Sequence, residues 1–580
     1  MSRRADEQRA ATSVLVIGTG AAGLRAAIEL AEQGVQVLCV GKRRRDDAHT
    51  VLASGGINAA LGTMDPEDSW EQHAADTLRE GYWLSDPASV ELLCREAPRA
   101  IEELVRWGAR LAREADGRLT QRFFGAHRYR RTCFAGDYTG REIQRVLVKR
   151  ALAVGVDMRD DVYLTRLLMH EGRVFGAYGF DLDDGSRRLI VADAVVLAAG
   201  GHTRIWRRSS SRRDENTGDA MRLAAEAGCR LRDMELVQFH PTGMVYPEES
   251  AGTLVTEAVR GEGGILRNAL GERFMERYDA ERLELSTRDR VALANYTEIA
   301  EGRGTDHGGV LLDISHLERE TLFERLPRMY RQFLDLAMLD ITTAPMEVAP
   351  TAHYSMGGVR VDPETHATDV AGLFAVGECA AGVHGANRLG GNSLAECLVF
   401  GRIVAEQAAR WSDDLEAQVR DHAAIDEARG DVDELLARRG DEFARPLQRA
   451  LRDLMSEHCG VVRSEDGLRE GLERLRELGE RTAALDVRPD IAGYADLAHA
   501  FDLQGSLVAA RATLECALER RETRGAHNRT DFPDQDPGLR VNLVWTPDGQ
   551  IAHEPIPAPS ATVSALADGP EIEVAGRLLE

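Results

Sequence analysis

No two of the eight cysteines in this 580-residue chain (Cys39, Cys94, Cys133, Cys229, Cys379, Cys397, Cys459 and Cys516) form a C-x-x-C pair. That argues against an internal zinc site, a self-contained iron–sulfur cluster and a disulfide scaffold, all of which need clustered thiols. The cysteines read instead as small apolar fillers. Long hydrophobic runs are missing too. The longest, around Ala194 to Gly201, falls far short of the ~20 residues that cross a bilayer. The charged stretch Met1 to Arg9 lacks the apolar core of a secretory signal, so a cytoplasmic chain with no transmembrane segment of its own is expected. There is no excess of positive charge: the net charge is −24. Nucleic acid is therefore not an expected partner, because phosphate binding needs a basic surface. What remains is ordinary globular composition, 43% hydrophobic, in a chain long enough for roughly three or four domains.

Val14 to Ile17 reads as a buried strand, followed by Gly18-Thr-Gly20-Ala21-Ala22-Gly23, a helical run from Leu24 to Gln33, and a second strand from Val35 to Val40. In this strand–turn–helix–strand setting the glycines have separate uses: a tight turn at Gly18, backbone approach to a pyrophosphate at Gly20, close helix packing at Gly23. The helix N-terminus, with Ala21 and Ala22, faces the phosphates. Two distant apolar strands, Ala192 to Ala199 and Leu373 to Val376, end in Gly200-Gly201 and Gly377-Glu378 and look like members of the same sheet. The chain between about 240 and 350 is then an insertion. Beyond Trp411, Arg, Glu, Ala and Leu recur at helical spacing from Leu415 to Leu485 and again from Phe501 to Arg521. A strand at Leu539 to Trp545 precedes a tail expected to be extended or loose.

The longer motifs point further. They are His49-Thr50-Val, Gly55-Gly56-Ile-Asn-Ala-Ala-Leu-Gly62, Phe239-His-Pro-Thr-Gly243, Thr256-Glu-Ala-Val-Arg-Gly-Glu-Gly-Gly264, His353-Tyr-Ser-Met-Gly-Gly358, His384-Gly-Ala-Asn-Arg-Leu-Gly-Gly-Asn-Ser-Leu394 and Arg524-Gly-Ala-His-Asn-Arg-Thr-Asp-Phe-Pro533. With these the chain, from about Ser13 to Asp536, resembles the flavoprotein subunits of succinate dehydrogenase and fumarate reductase, with L-aspartate oxidase as a nearby relative. The resemblance implies an α/β fold: a Rossmann-like FAD-binding domain (1–239 and 353–410), an inserted α+β capping domain (240–352), a C-terminal helical domain (411–535) and a C-terminal segment (536–580). It implies FAD, bonded covalently through His49, and hydride exchange with succinate or fumarate. It also implies a separate iron–sulfur subunit at a membrane anchor, holding the chain peripherally on the inner face of the cell membrane.

By the same motifs, FAD contacts are expected from Lys42, Thr50, Gly55, Gly56, Asp219, Glu378, Ser393 and Leu394. The run Lys42 to Arg45 reads equally as a phosphate contact or as a solvated loop. A four-carbon dianion in a partly dry pocket needs fixed positive charge and donors at both ends. Arg388 and His353 match the groups for one carboxylate, His240 and Thr256 those for the other. Arg288 matches the catalytic arginine, with Glu257 and Arg260 as the proton path that recharges it. A guanidinium essentially never rests deprotonated, so Arg288 serves only as a transient donor, and the alternative is a structural ion-pair network. The segment 240–350 would close over the flavin and exclude water, with Gly261, Gly263 and Gly264 as either hinge or tight packing.

Three positions depart from the family pattern: Ser54 where Gln or Glu is usual, Ala126 for the second glycine of Phe-Gly-Gly, and Ala220 in Thr-Gly-Asp-Gly. Two other functions stay open. Glu396-Cys397-Leu398 has an aspartate-oxidase flavour, which would mean iminoaspartate for NAD synthesis, although that group generally lacks the histidine at position 49. A flavin subunit serving assembly or bifurcation with another acceptor is the third.

Overall fold

The computed structural model describes residues 7–489 and 493–569. A strand at Glu7–Ile17 runs into a helix at Ala21–Glu32 and a strand at Val37–Val40, with Val14 to Ile17 paired parallel to the latter. Val14, Val16, Leu38 and Val40 are all buried, the continuous apolar run of a parallel strand covered on both faces. Gly18 has φ +123°, and a Cβ there would stand 2.1 Å from the Ala198 carbonyl oxygen. A Cβ on Gly23 would stand 1.9 Å from the Gly18 carbonyl oxygen. Only glycine lets this turn and helix sit so close to the sheet.

Four strands run parallel in the order Asp157–Arg159, Val37–Val40, Glu7–Ile17, Arg187–Leu197. The last is shared between two partners. Its C-terminal end pairs parallel with Leu373–Ala375, and its N-terminal half pairs antiparallel with Arg173–Asp181, which continues to Val162–His170. Leu197 is in register with both Ile17 and Ala375. The carboxyl ends of three strands remote in sequence therefore open on one edge, where open α/β sheets bind ligands.

A second, antiparallel sheet has the order Val237–Met244, Met346–Ser355, Val310–Asp313, Ile265–Arg267. It surrounds its own apolar core, including Met244, Leu266, Phe274, Leu312, Phe333 and Val348. Val237, Phe239 and Ala352, nearer the other ends of its two long strands, belong to the main core. These two strands tie the inserted unit to the body.

Helices follow at His422–Ala437, Ala444–His458, Glu465–Arg481 and Ala495–Glu519. Asp421 and Ser464 cap two of them by accepting backbone N–H bonds. Their apolar residues Ile425, Leu447, Leu475 and Phe501 join one buried cluster with Leu15 and Val195 of the sheet. The helical part is built onto the sheet, not beside it.

The strand expected at Leu539 to Trp545 is present as Val541–Trp545, and beyond it the tail is extended at Ile551–Pro555 and then helical and packed, not loose. Val541–Trp545 pairs with Leu231–Arg232 and with Ile551–Pro555, and the helix Ala561–Ala567 seats Val563 and Ala567 in a cluster with Ala74, Ala75 and Leu78. These partners lie hundreds of residues upstream, so local composition could not announce them. The last eleven residues of the expected tail lie outside the described residues.

Candidate active site

A cavity opens on the carboxyl edge of the parallel sheet. At one end lie Gly18, Gly20, Ala21 and Ala22, and the Ala21 backbone N–H donates to Thr50 Oγ1 (2.9 Å), which ties the helix start to the 49–52 turn. Lys42, His49, Thr50, Gly55, Gly56, Asp219, Glu378, Ser393 and Leu394 line the same space. Gly23 does not; it is the packing glycine beneath the turn. A glycine turn feeding a helix N-terminus at the edge of a parallel sheet is an anion cradle, and it fits the pyrophosphate of a dinucleotide.

Lys42 Nζ sits 2.8 Å from Asp219 and 3.4 Å from Asp502. Burial alone would lower its pKa, but these carboxylates more than offset that and raise it. Its neighbours diverge. Arg43 pairs with Asp47, Asp214 and Glu215, and Arg45 with Asp160, while Arg44 is 72% exposed. The basic run thus splits into a cavity-lining lysine, a clamped arginine (Arg43) that also lines the cavity, a second clamped arginine (Arg45) and a solvated one.

At the far end stand His240, Thr256, Glu257, Arg288, His353 and Arg388. The inserted sheet brings His240 and His353 together from its two long strands, with ring centroids 5.2 Å apart. Ser210 Oγ fixes His353 Nδ1 at 2.8 Å. Burial pushes both imidazoles well below the usual range, and nearby positive charge (Arg288 and Arg388 for both, Arg260 also for His240) adds to it. Both rings are therefore neutral at neutral pH. Arg388 lies 4.3 Å over the Tyr354 ring, bonds only the neutral Gln238 (3.0 Å) and Ser393 (3.4 Å), and leaves its Nε unpartnered. Burial first, then Arg288, push its pKa down to about 10.

Arg288 starts the helix Arg288–Glu298 and reaches Glu257 Oε2 with Nη2 at 2.7 Å and Nε at 2.8 Å. Gly125 N–H donates to the other carboxylate oxygen at 3.0 Å. Burial would raise the Glu257 pKa, but Arg288 and Arg260 overcome it and hold the group at about 2. Arg260 does not line the cavity. It lies behind Glu257, 3.9 Å from Oε2, donates to the Glu284 carbonyl at 2.5 Å, and leaves Nε and Nη2 unpartnered. The three residues stand in line: Arg260, Glu257, Arg288, cavity.

The departures acquire local reasons. Ser54 accepts a hydrogen bond from Arg328 Nη1 at 2.9 Å, and Arg328 N–H bonds Asp137, so the inserted unit is fastened to the cavity wall. Ala126 has φ +69°, a conformation that explains why glycine is usual there. Ala220 is wholly buried. Glu396 accepts from Tyr354 Oη (2.6 Å) and His384 (2.9 Å), an internal network behind the site.

Two residues outside the long motifs matter here. Gln238 Oε1 accepts from both Arg288 (3.1 Å) and Arg388 (3.0 Å), holding two like charges at one oxygen, and its Nε2 donates to Asn387. Glu215 accepts from His49 Nδ1 at 3.0 Å. Gln238 directly precedes the Phe239-His motif and Glu215 lies two before Thr217, but neither position carries a signal of its own.

Residues 13–394 match the FAD binding domain family and 448–556 match the fumarate reductase flavoprotein C-terminal family. The chain is 44% identical to a fumarate reductase (CoM/CoB) subunit from Methanothermobacter marburgensis over 535 residues, 92% of this chain and 96% of that one. It is 39% identical to a succinate dehydrogenase flavoprotein subunit from Rickettsia bellii, covering 90% of both. Among solved structures, Mycobacterium smegmatis Sdh1 in complex with UQ1 superposes with TM-score 0.87 at 40% identity, covering 96% of each chain. The E. coli quinol fumarate reductase does so at 0.89 and 33%, covering 96% of this chain and 99% of that one. With the glycine turn and the long motifs in one cavity, the chain belongs to the family of FAD-binding succinate dehydrogenase and fumarate reductase flavoprotein subunits.

Proposed function

We propose that this chain is a flavoprotein subunit that interconverts succinate and fumarate with FAD. The observation that carries the reading is the line Arg260–Glu257–Arg288 ending in the same cavity as the nucleotide turn, opposite Arg388 and the two neutral histidines. Bound FAD supplies the hydride acceptor and donor. Gly18, Gly20, Ala21 and Ala22 would hold its phosphates, and Gly55, Gly56, Ser393 and Leu394 would border its ring.

Arg388 and His353 take one carboxylate, and His240 and Thr256 the other. Because the histidines are uncharged, each donates a hydrogen bond without adding a third and fourth positive charge to the site. Gln238 keeps Arg288 and Arg388 apart and aimed. In fumarate reduction Arg288 gives a proton to one alkene carbon and is recharged at once from Glu257, which draws on Arg260. In the reverse direction the same groups accept the proton. The inserted unit, 240–352, acts as a cap, and its links to the body through Glu257–Gly125 and Arg328–Ser54 exclude water when made.

Electrons leave through a partner. Among the described residues no group of side chains could hold a metal ion and no helix is long and apolar enough to cross a membrane. The relatives are succinate dehydrogenase and fumarate reductase subunits, and on that likeness the chain works with an iron–sulfur subunit at a membrane anchor, peripheral to the membrane. The comparisons give the aspartate-oxidase reading no support, and the buried Tyr354–Glu396–His384 network accounts for Glu396.

The test is Arg288→Lys and Arg288→Gln with FAD content measured. Fumarate turnover falls about 100-fold or more with FAD retained if Arg288 moves the proton. Undiminished turnover removes Arg288 from that role.

A further inference from the structure

We propose that Glu215 is the positioning residue for covalent attachment of FAD to His49, holding the imidazole in the form whose Nε2 lone pair faces the cavity. The inference rests on the reading of His49 as the attachment point. His49 lines the cavity on a short 3-10 turn, and its side chain is 32% exposed, so one edge of the ring is open. The other edge is engaged: Nδ1 meets Glu215 Oε2 at 3.0 Å. A carboxylate cannot donate, so Nδ1 carries a proton; burial would lower the imidazole pKa, but Glu215 overcomes it and raises it, so Nε2 is the nucleophile once the ring has shed its second proton. The same logic orients metal-binding histidines, where a carboxylate on one nitrogen makes the other more basic.

Glu215 is itself fixed. Its side chain is 5% exposed. Oε1 meets Arg212 at 3.0 Å and Arg43 at 3.3 Å, and the Arg212 backbone N–H donates to Oε2 at 3.3 Å. Both arginines also hold Asp47, on the loop that leads to His49. The carboxylate, the loop and the ring therefore form one rigid unit. Burial would raise the Glu215 pKa, but His49, Arg212 and Arg43 bring it down to about 2. It stays charged whenever attachment proceeds.

The bond formed joins His49 Nε2 to the methyl carbon of the flavin ring, and the bond broken is one C–H of that methyl. The C–H electron pair stays on the flavin, leaving it two electrons reduced. The ring that has bonded at Nε2 is briefly an imidazolium, which Glu215 pairs with until the Nδ1 proton is lost. Fumarate, the acceptor of the proposed reaction, takes the two electrons and two protons and becomes succinate. Without Glu215 the ring is free to rotate or to carry its proton on Nε2, and the cation that forms has no partner.

The experiment compares wild type, His49→Ser, Glu215→Gln and Glu215→Asp, each purified with any subunits that accompany it and incubated with FAD and fumarate. Two quantities are read: total FAD per chain, and the fraction that stays with the denatured polypeptide as in-gel flavin fluorescence over time. Wild type is fluorescent and His49→Ser dark. Glu215→Gln keeps its total FAD but acquires the bond about ten-fold or more slowly, the scale lost when the carboxylate that orients a histidine is removed, and Glu215→Asp is intermediate. A purely structural role would lower total FAD and the covalent fraction together. Attachment in Glu215→Gln at the wild-type rate overturns the role of Glu215 and leaves His49 standing. A dark wild type overturns the attachment reading and this inference with it. If Glu215→Gln binds no FAD, Glu215→Asp decides: slowed attachment at full FAD supports the role, and the wild-type rate overturns it.

Discussion

Glu257→Gln separates a proton relay from an ion-pair scaffold. The glutamine keeps the shape and one acceptor oxygen but removes the charge between Arg288, at 2.7 and 2.8 Å, and Arg260, at 3.9 Å. Two estimates of the stability loss agree. A carboxyl held at about 2 against an ordinary 4.5 corresponds to about 3 kcal/mol of stabilisation of the ionised form. Breaking a buried pair by deleting one partner costs about 3–5 kcal/mol, because the remaining charge is left uncompensated. The sign follows from the depressed value: this stability is present above pH 4.5 and is lost as pH falls toward 2. Glu257→Gln should therefore flatten the acid limb of the unfolding profile as well as lower the denaturant midpoint.

Activity gives the decisive reading. If Glu257 recharges Arg288, fumarate turnover with a reduced dye falls about 100-fold or more at saturating substrate. If Glu257 only fastens Arg288, the loosened guanidinium weakens binding, KM rises and kcat stays within about three-fold. The second pattern, in protein that retains FAD, refutes the relay. Both effects must be read at a temperature where the destabilised variant is still folded.

Two further outcomes follow from the backbone. Ala126→Gly relieves a φ of +69° that costs alanine about 1–2 kcal/mol. After the larger entropy loss of glycine, a net gain of about 0.5–1 kcal/mol is expected in chemical denaturation, and a loss would show that the alanine methyl makes contacts that matter more. Gly18→Ala forces a Cβ to 2.1 Å from the Ala198 carbonyl, so the turn must open. FAD content measured by absorbance should drop with a stability loss of about 2 kcal/mol or more, and full FAD occupancy would contradict the cradle.

The nucleotide turn was legible because its information is local. Gly18, Gly20 and Gly23 sit within one strand–helix connection, and the periodicity around them marks both elements. The same holds for the histidines and arginines inside long motifs: His240, His353, Arg288 and Arg388 could be named one by one. The apolar strands ending near Gly200 and Gly377 were legible as strands, but not their register. That Ile17, Leu197 and Ala375 end on one edge depends on two pairings, each across about 180 residues.

The tail shows the limit from the other side. Val541–Trp545 and Val563 bury themselves against Leu231, Ala74 and Leu78, and nothing in the composition near position 560 names those partners. Only the tertiary structure decided which side chains meet. Gln238 between two arginines, Glu215 against His49, and Arg260 behind Glu257 are contacts over 3 to 166 residues. The sequence alone determined the inventory of the chemistry: a dinucleotide turn, two histidines, three arginines and a glutamate within recognisable motifs. The fold determined their protonation, because burial and neighbouring charge set the state of a titratable group and both are properties of the packed chain. It made the histidines neutral and the glutamate charged, and it pushed the Arg388 pKa down to about 10 by burial and by the charge of Arg288.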